Sequence, residues 1–272
     1  MKYFITALLF STLLQAEGFI NWQPPVVKAK KSAKQDHGGH GGRKAKRFQI
    51  NEFDPAASSE IFYLMPTLEK RELSIEDALI SLPRTGMENY HALVVNQTKE
   101  KSVSSSVRYI YSHGRPSKVS PTEITRFQKS ELEIAPVLLP KEHNNYKGSN
   151  TYKFELRFKG GVLPKHTVTF TTSNGSEETF QSDEYGKFSV TMPNDFKDVK
   201  MKRRANRPAE FILAAAYGHE GIDYGSTLAM PYYVNPIDYW QTQALAVVLV
   251  VLGLITGIFM FRNIHKKKKR KA

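Results

Sequence analysis

The chain of 272 residues contains no cysteine. That removes disulfides, thiolate metal sites, thiol redox chemistry and acylation of a lipoprotein-type cysteine. Any folded part must be held by core burial alone. The sequence also lacks the familiar catalytic signatures. There is no Walker loop, no Gly-x-Ser-x-Gly elbow, no His-Glu-x-x-His pair and no Gly-rich dinucleotide turn. No internal repeat is visible. These absences point away from an enzyme.

The formal charge of +13 is not spread over the chain. Residues 262–272 carry seven basic side chains, and residues 1–47 carry nine against Glu17 and Asp36, which leaves residues 48–261 at −1. Basic runs confined to two tails serve membrane surfaces or topology more often than RNA or DNA, so no nucleic-acid partner is expected.

Both ends are apolar. Met1-Lys2 leads into an uncharged run from Tyr3 to Leu14 that closes on Leu14-Gln15-Ala16. This layout predicts a signal peptide over 1–16. Residues 244–261 hold no charge and no proline, between Tyr239-Trp240 and Arg262. They predict a transmembrane helix over 243–261, followed by a basic cytoplasmic tail over 262–272. The expected location is the cytoplasmic (inner) membrane, single-pass, with the bulk periplasmic. Gly253 and Gly257 form a GxxxG pair, suited to contact with a partner helix.

Between the ends, residues 17–58 read as a basic, disordered linker, rich in Lys, Ala, Pro and Gly. Ser74-Ile75-Glu76-Asp77 resembles a helix start, with the helix ending before Pro83. From there the pattern turns to β. Tyr90–Val95 and Val107–Tyr111 are aromatic and β-branched. Tyr152, Phe154, Leu156 and Phe158 alternate with charged residues, as in a half-buried strand. Asn174-Gly175 and Asp183-Glu184-Tyr185-Gly186 are turn signals, and Phe188, Val190 and Met192 alternate again. With 13 Tyr and 16 Phe, the expected fold is mainly β. It consists of Ig-like or prealbumin-like sandwich units, an N-terminal one over 59–145 with a short helix and a C-terminal one over 146–235.

The candidate ligands are nitrogens and carboxylates. Asp36, His37 and His40 stand together among glycines that would let both rings turn to one ion, although a plain polar linker reads equally well. In the folded part, His219 and Glu220, with Asp223 nearby, lie in a Gly-flanked loop between two strands.

From about Tyr90 to Tyr233 the chain resembles the DUF4198 family, periplasmic β-sandwich proteins found with nickel and cobalt uptake systems. The resemblance rests on Glu131-Leu132-Glu133-Ile134-Ala135-Pro136, on Tyr152 to Leu163, on Val168-Thr169-Phe170 and on Ser182-Asp183-Glu184-Tyr185-Gly186-Lys187-Phe188. Phe211 to Tyr217 and Tyr224 to Leu228 are also similar. It implies an anchored accessory or capture component for transition-metal uptake, with transient Ni²⁺ or Co²⁺, no tightly bound cofactor, and integral-membrane transporter subunits as partners. The alternative is a cell-envelope interaction or structural module without a metal role.

Overall fold

A computed structural model describes residues 19–24, 46–75, 78–141, 145–239 and 242–269. The protein is mainly β. In chain order its strands are β1 (Asn21–Gln23), β2 (Arg47–Asn51), β3 (Ser58–Leu64), β4 (Lys70–Glu72), β5 (Leu79–Ser81), β6 (Met87–Lys99), β7 (Ser102–Ser112) and β8 (Arg115–Pro116). Helix α1 (Pro121–Arg126) intervenes. Strands β9 (Leu132–Pro136), β10 (Tyr146–Lys147), β11 (Thr151–Phe158), β12 (Gly161–Val162), β13 (Thr167–Thr172) and β14 (Glu177–Gln181) follow. The chain ends on β15 (Lys187–Thr191), β16 (Ala209–His219), β17 (Ile222–Tyr233), α2 (Pro236–Tyr239) and α3 (Thr242–Lys269).

One large sheet runs β14-β13-β16-β17-β7-β6-β3-β4, with β10 beside β17 and β8 beside β6. It is covered on both faces. On one side β9, β11, β12 and β15 form a second sheet. Phe154 and Leu156 of β11 and Phe188 and Val190 of β15 pack there against Phe62, Val94, Tyr109 and Phe211 of the large sheet. On the other side β1, β2 and β5 form a third sheet. Trp22, Phe48, Ile50 and Ile80 pack there against Ile61, Tyr63, Leu93 and Val95. Successive side chains of a strand face opposite ways, so β3 and β6 feed both cores and read as continuous apolar runs. This is why Tyr90–Val95 shows no polar alternation.

The large sheet crosses the boundary expected between 59–145 and 146–235. β7 pairs with β17 in parallel, Ser102 to Val107 against Asp223 to Leu228. The two expected units therefore share one sheet. Small residues line this seam: Ser104 faces Gly225, Ser105 faces Ser226 and Ser106 faces Thr227. Their size admits the β1 segment. A Cβ on Gly225 would come within 2.9 Å of the Phe19 ring. Trp22 Nε1 donates to Ser106 O at 3.0 Å and Thr227 Oγ1 to Ile20 O at 2.7 Å.

Two local expectations are corrected. Residues 19–24 and 46–58 are not part of a disordered linker, because they contribute β1, β2 and the start of β3, and Ile20, Trp22, Phe48 and Ile50 are buried. Composition averaged over the lysine-rich segment between them masked these few apolar anchors. The helix expected from Ser74 toward Ile80 is instead strand at 79–81. Leu79 and Ser81 face solvent while Ile80 is buried opposite Phe48, a period of two. The helix that does form is α1. Ser120 accepts a hydrogen bond from Thr122 N, and Pro121 opens the first turn.

The turns signalled by the sequence are present. Asn174-Gly175 lies between β13 and β14, which pair antiparallel, and Gly175 has φ +98°. Asp183 Oδ1 accepts from Tyr185 N and Lys187 N, both at 2.8 Å, which sets the turn into β15. Among the described residues no helix is long and apolar enough to cross a membrane.

Because Trp22 is fully enclosed and hydrogen-bonded, Trp22→Ala should lower unfolding free energy by about 3–5 kcal/mol in urea titration. A disordered linker at this position would leave the midpoint unmoved.

Candidate functional site

β16 and β17 form a long antiparallel hairpin whose tip is Glu220-Gly221, both in the left-handed region at φ +53° and +74°. Such a two-residue turn matches the twist of its strands, and glycine suits its second position. His219 and Ile222 face each other at the last pair of the ladder. The turn brings His219 and Glu220 together, with Nε2 3.7 Å from Glu220 Oε1. The ring of His219 is also engaged from the side. It stacks on Tyr217 at 5.9 Å and meets Phe158 edge-on at 5.2 Å. Asp223 lies opposite Gly218, where a Cβ on Gly218 would sit 3.7 Å from its Oδ1. Among the described residues no group of three His, Asp or Glu is arranged to hold a metal ion. Two ligands at the tip, one of them packed into aromatic rings, could contribute to a shared site but not enclose an ion. Asp36, His37 and His40 lie outside the described residues. Gly253 and Gly257 sit on α3 with open space where a Cβ would project.

Three polar centres were not foreseen. The first is a buried charge cluster. Lys129 Nζ contacts Glu133 Oε1 at 2.5 Å and donates to the carbonyls of Ile124, at 2.9 Å, and Phe127. Arg157 approaches the same carboxylate at 3.7 Å and donates to Thr125 O and Arg126 O. Burial pushes the Lys129 ammonium below its usual value, with Glu133 opposing. Burial and then the charge of Glu133 push the Tyr109 hydroxyl well up. With two backbone carbonyls accepting from it and the Glu133 carboxylate as its ion-pair partner, Lys129 is a structural cation rather than a free nucleophile. The signal was Glu133 itself, a lone charge inside the apolar run Leu132–Pro136.

The second centre is Asp195. Its carboxylate accepts from Tyr232 Oη at 2.6 Å, Ser176 Oγ at 2.7 Å, Thr172 Oγ1 at 2.8 Å and Asn174 Nδ2 at 3.1 Å. Burial acts to raise this carboxyl, but the four donors outweigh it and hold the group below its ordinary value. Asp195 thereby pins the segment after β15 to the β13–β14 turn and to β17. The third centre is His91, buried and stacked on Tyr63 at 4.9 Å. Its Nε2 lies 2.8 Å from Thr85 Oγ1 and its Nδ1 3.1 Å from Asn89 O.

No family model matches the chain, and no curated protein matches it. Solved structures do. A Ca²⁺-stabilized adhesin with which an Antarctic bacterium binds ice aligns at 12% identity and a TM-score of 0.24, over 70% of this chain and 43% of that one. The chain thus spans less than half the length of that adhesin. The D0–D1 domain of intimin aligns at 13% identity and 0.24, over 70% and 91% of the two chains. The central fibronectin-III array of RIM-binding protein aligns at 9% and 0.20, over 68% and 56%. Likenesses at such scores carry no functional argument.

Burial pushes the His91 imidazole down to about 4, assisted by Lys46 and opposed by the Asn89 carbonyl. Its folded value lies below the unfolded one of about 6.5, so its contribution is complete above that pH and is lost as pH falls toward 4. The loss should reach about 3 kcal/mol at pH 4. Urea midpoints of wild type and His91→Gln should therefore converge on acidification. Parallel curves would remove His91 from the acid response.

Proposed function

We propose that the chain is a membrane-anchored, extracytoplasmic β-sandwich module of Ig-like or prealbumin-like type, whose role is binding and assembly rather than catalysis. The observation that carries this reading is the surface of α3. Val247, Val248, Leu249, Val250, Val251 and Leu252 are consecutive, and each leaves about half or more of its area open. Leu254, Ile255, Ile258, Phe259, Met260 and Phe261 extend the same surface. Six exposed apolar residues in a row cover a helix on every side, leaving no polar face for water. Soluble proteins do not leave so large an apolar surface uncovered.

The one hydroxyl in this stretch, Thr256, bonds back to Leu252 O at 2.9 Å and Gly253 O at 3.0 Å, as an apolar surrounding requires. The uncharged run 244–261 and the basic residues after it supply the span and the cytoplasmic tail. The open glycines 253 and 257 suit a partner helix, as in an assembly with integral-membrane subunits.

A second reading keeps the metal role that the family resemblance implies. It is favoured by the pairing of β1 with β2, Asn21 opposite Asn51 and Gln23 opposite Gln49, which holds together the two ends of the segment bearing Asp36, His37 and His40. Transient capture of Ni²⁺ or Co²⁺ there would precede hand-over to a transporter. Calorimetric titration of the full chain with Ni²⁺ should give heat that His37→Ala/His40→Ala abolishes and that fades as pH falls from about 7.5 to 5.5. Identical isotherms would end the metal reading and leave the interaction module.

For the anchor, the full chain should float with liposomes and resist alkaline carbonate, whereas Val248→Lys/Leu252→Lys should be released. Release of both proteins alike would sink the proposal.

A further inference from the structure

The segment from Lys197 to Arg207, between β15 and β16, carries six basic residues against the single acid Asp198. Residues 48–261 as a whole are near neutral, so this loop concentrates the positive charge of the folded part. Lys197, Lys200, Lys202, Arg204 and Arg207 are all exposed. The loop is nonetheless ordered. Asn206 accepts from Lys200 N and donates to Lys200 O, both at 2.7 Å, and so ties the loop across its neck. Met201 stands among the cations with 54% of its surface open.

The position of the loop is fixed at its root. Asp195 takes the Tyr232 hydroxyl, and the Phe196 ring packs on Tyr232 at 4.9 Å. A cleft of about 620 Å³ is lined by Lys197, Lys200 and Arg207 together with Val234, the residue that follows β17. Beyond it Asn235 is held by Gly148 O at 3.0 Å, and α2 carries Ile237 with 77% of its surface open. From Val234 to Thr242, the first residue of α3, the chain can reach at most about 28 Å, and the turn of α2 shortens that.

We propose that the 197–207 loop rests on anionic phospholipid headgroups beside the tether, with Met201 entering the interface. This rests on the anchoring reading above. Lysine and arginine near an anionic surface each strengthen attachment roughly fivefold, and the attraction fades within a Debye length. An apolar side chain among cations is the composition of interfacial segments. The contact would orient the sheet end-on to the membrane and present the opposite end of the β16–β17 hairpin, with His219 and Glu220, away from it.

The absence of cysteine gives a clean test. Full-length Met201→Cys, labelled with an environment-sensitive fluorophore, is placed in nanodiscs of phosphatidylcholine alone or with about one third phosphatidylglycerol, each containing a headgroup-region quencher lipid. Quenching should be at least about threefold stronger in the anionic discs, and Lys197→Glu/Lys200→Glu/Lys202→Glu should remove that difference. A label at Glu220→Cys should stay unquenched in both. Protein that enters the discs but shows equal quenching in both lipids, or none, overturns the proposal and leaves the loop for an acidic protein surface. Quenching abolished by inorganic phosphate at constant ionic strength overturns it in favour of a free-anion site. Protein that fails to enter the discs at all counts against the anchor, a result separate from any quenching.

Discussion

Strands β7 and β17 come from distant parts of the chain, and their parallel pairing joins everything else. Ser106 and Thr227, 121 residues apart, touch through their hydroxyls at 2.7 Å. On one side of this seam β6, β3 and β4 continue the sheet, and on the other β16, β13 and β14. Without the seam there would be two small sheets, each with an exposed edge and half a core. With it, one broad sheet has apolar side chains on both faces, and both must be covered. The β11 and β2 layers are the covers. The serines and the glycine of the seam are small because a cover, carrying Phe19, Ile20 and Trp22, lies directly over them.

That constraint also explains how much of the fold is legible in the sequence. Elements that bury one face against one layer announce themselves. The alternation at 152–158, the Asn174-Gly175 turn and the Asp183–Gly186 turn are local signals and lie where expected. Elements defined by long-range contacts do not. β1 is three residues long, and nothing near Trp22 in sequence says that it docks on Ser106. Ser102 to Ser106 looks like a turn by composition, yet it is the centre of the sheet because a bulky neighbour demands small side chains. Ser74-Ile75-Glu76-Asp77 offered a helix start, but at 79–81 the single buried Ile80 decided for a strand.

The candidate site divides in the same way. The Gly-flanked tip with His219 and Glu220 was legible as a loop between strands. Its aromatic neighbours Phe158 and Tyr217 were not, since Phe158 reaches it from another sheet. The segment with Asp36, His37 and His40 was visible as composition, whereas the pairing of β1 with β2 that holds its ends follows only from contacts of Trp22 and Ile50. Glu133 in an apolar run hinted at a buried partner, but Lys129 reaches it only through the turn between α1 and β9, and Arg157 only through the pairing of β11 with β9.

Without cysteine no covalent cross-link fixes how these layers are set against each other, and buried polar pairs take that part. Arg108 reaches past β17 to Glu210 on β16, with contacts of 2.6 and 3.0 Å, while stacking on Phe48 of the covering layer. Such a pair adds little net stability, because desolvation offsets most of the attraction. Its effect is on register. A one-residue slip of β16 would turn Glu210 to the opposite face and leave Arg108 buried and unpaired, which is far more costly than losing an apolar contact. Asp195 acts in the same manner close by, at the same open end of the hairpin, where its four donors fit only one placement of the loop root. The fold is thus selected by what misalignment would strand as much as by what alignment buries.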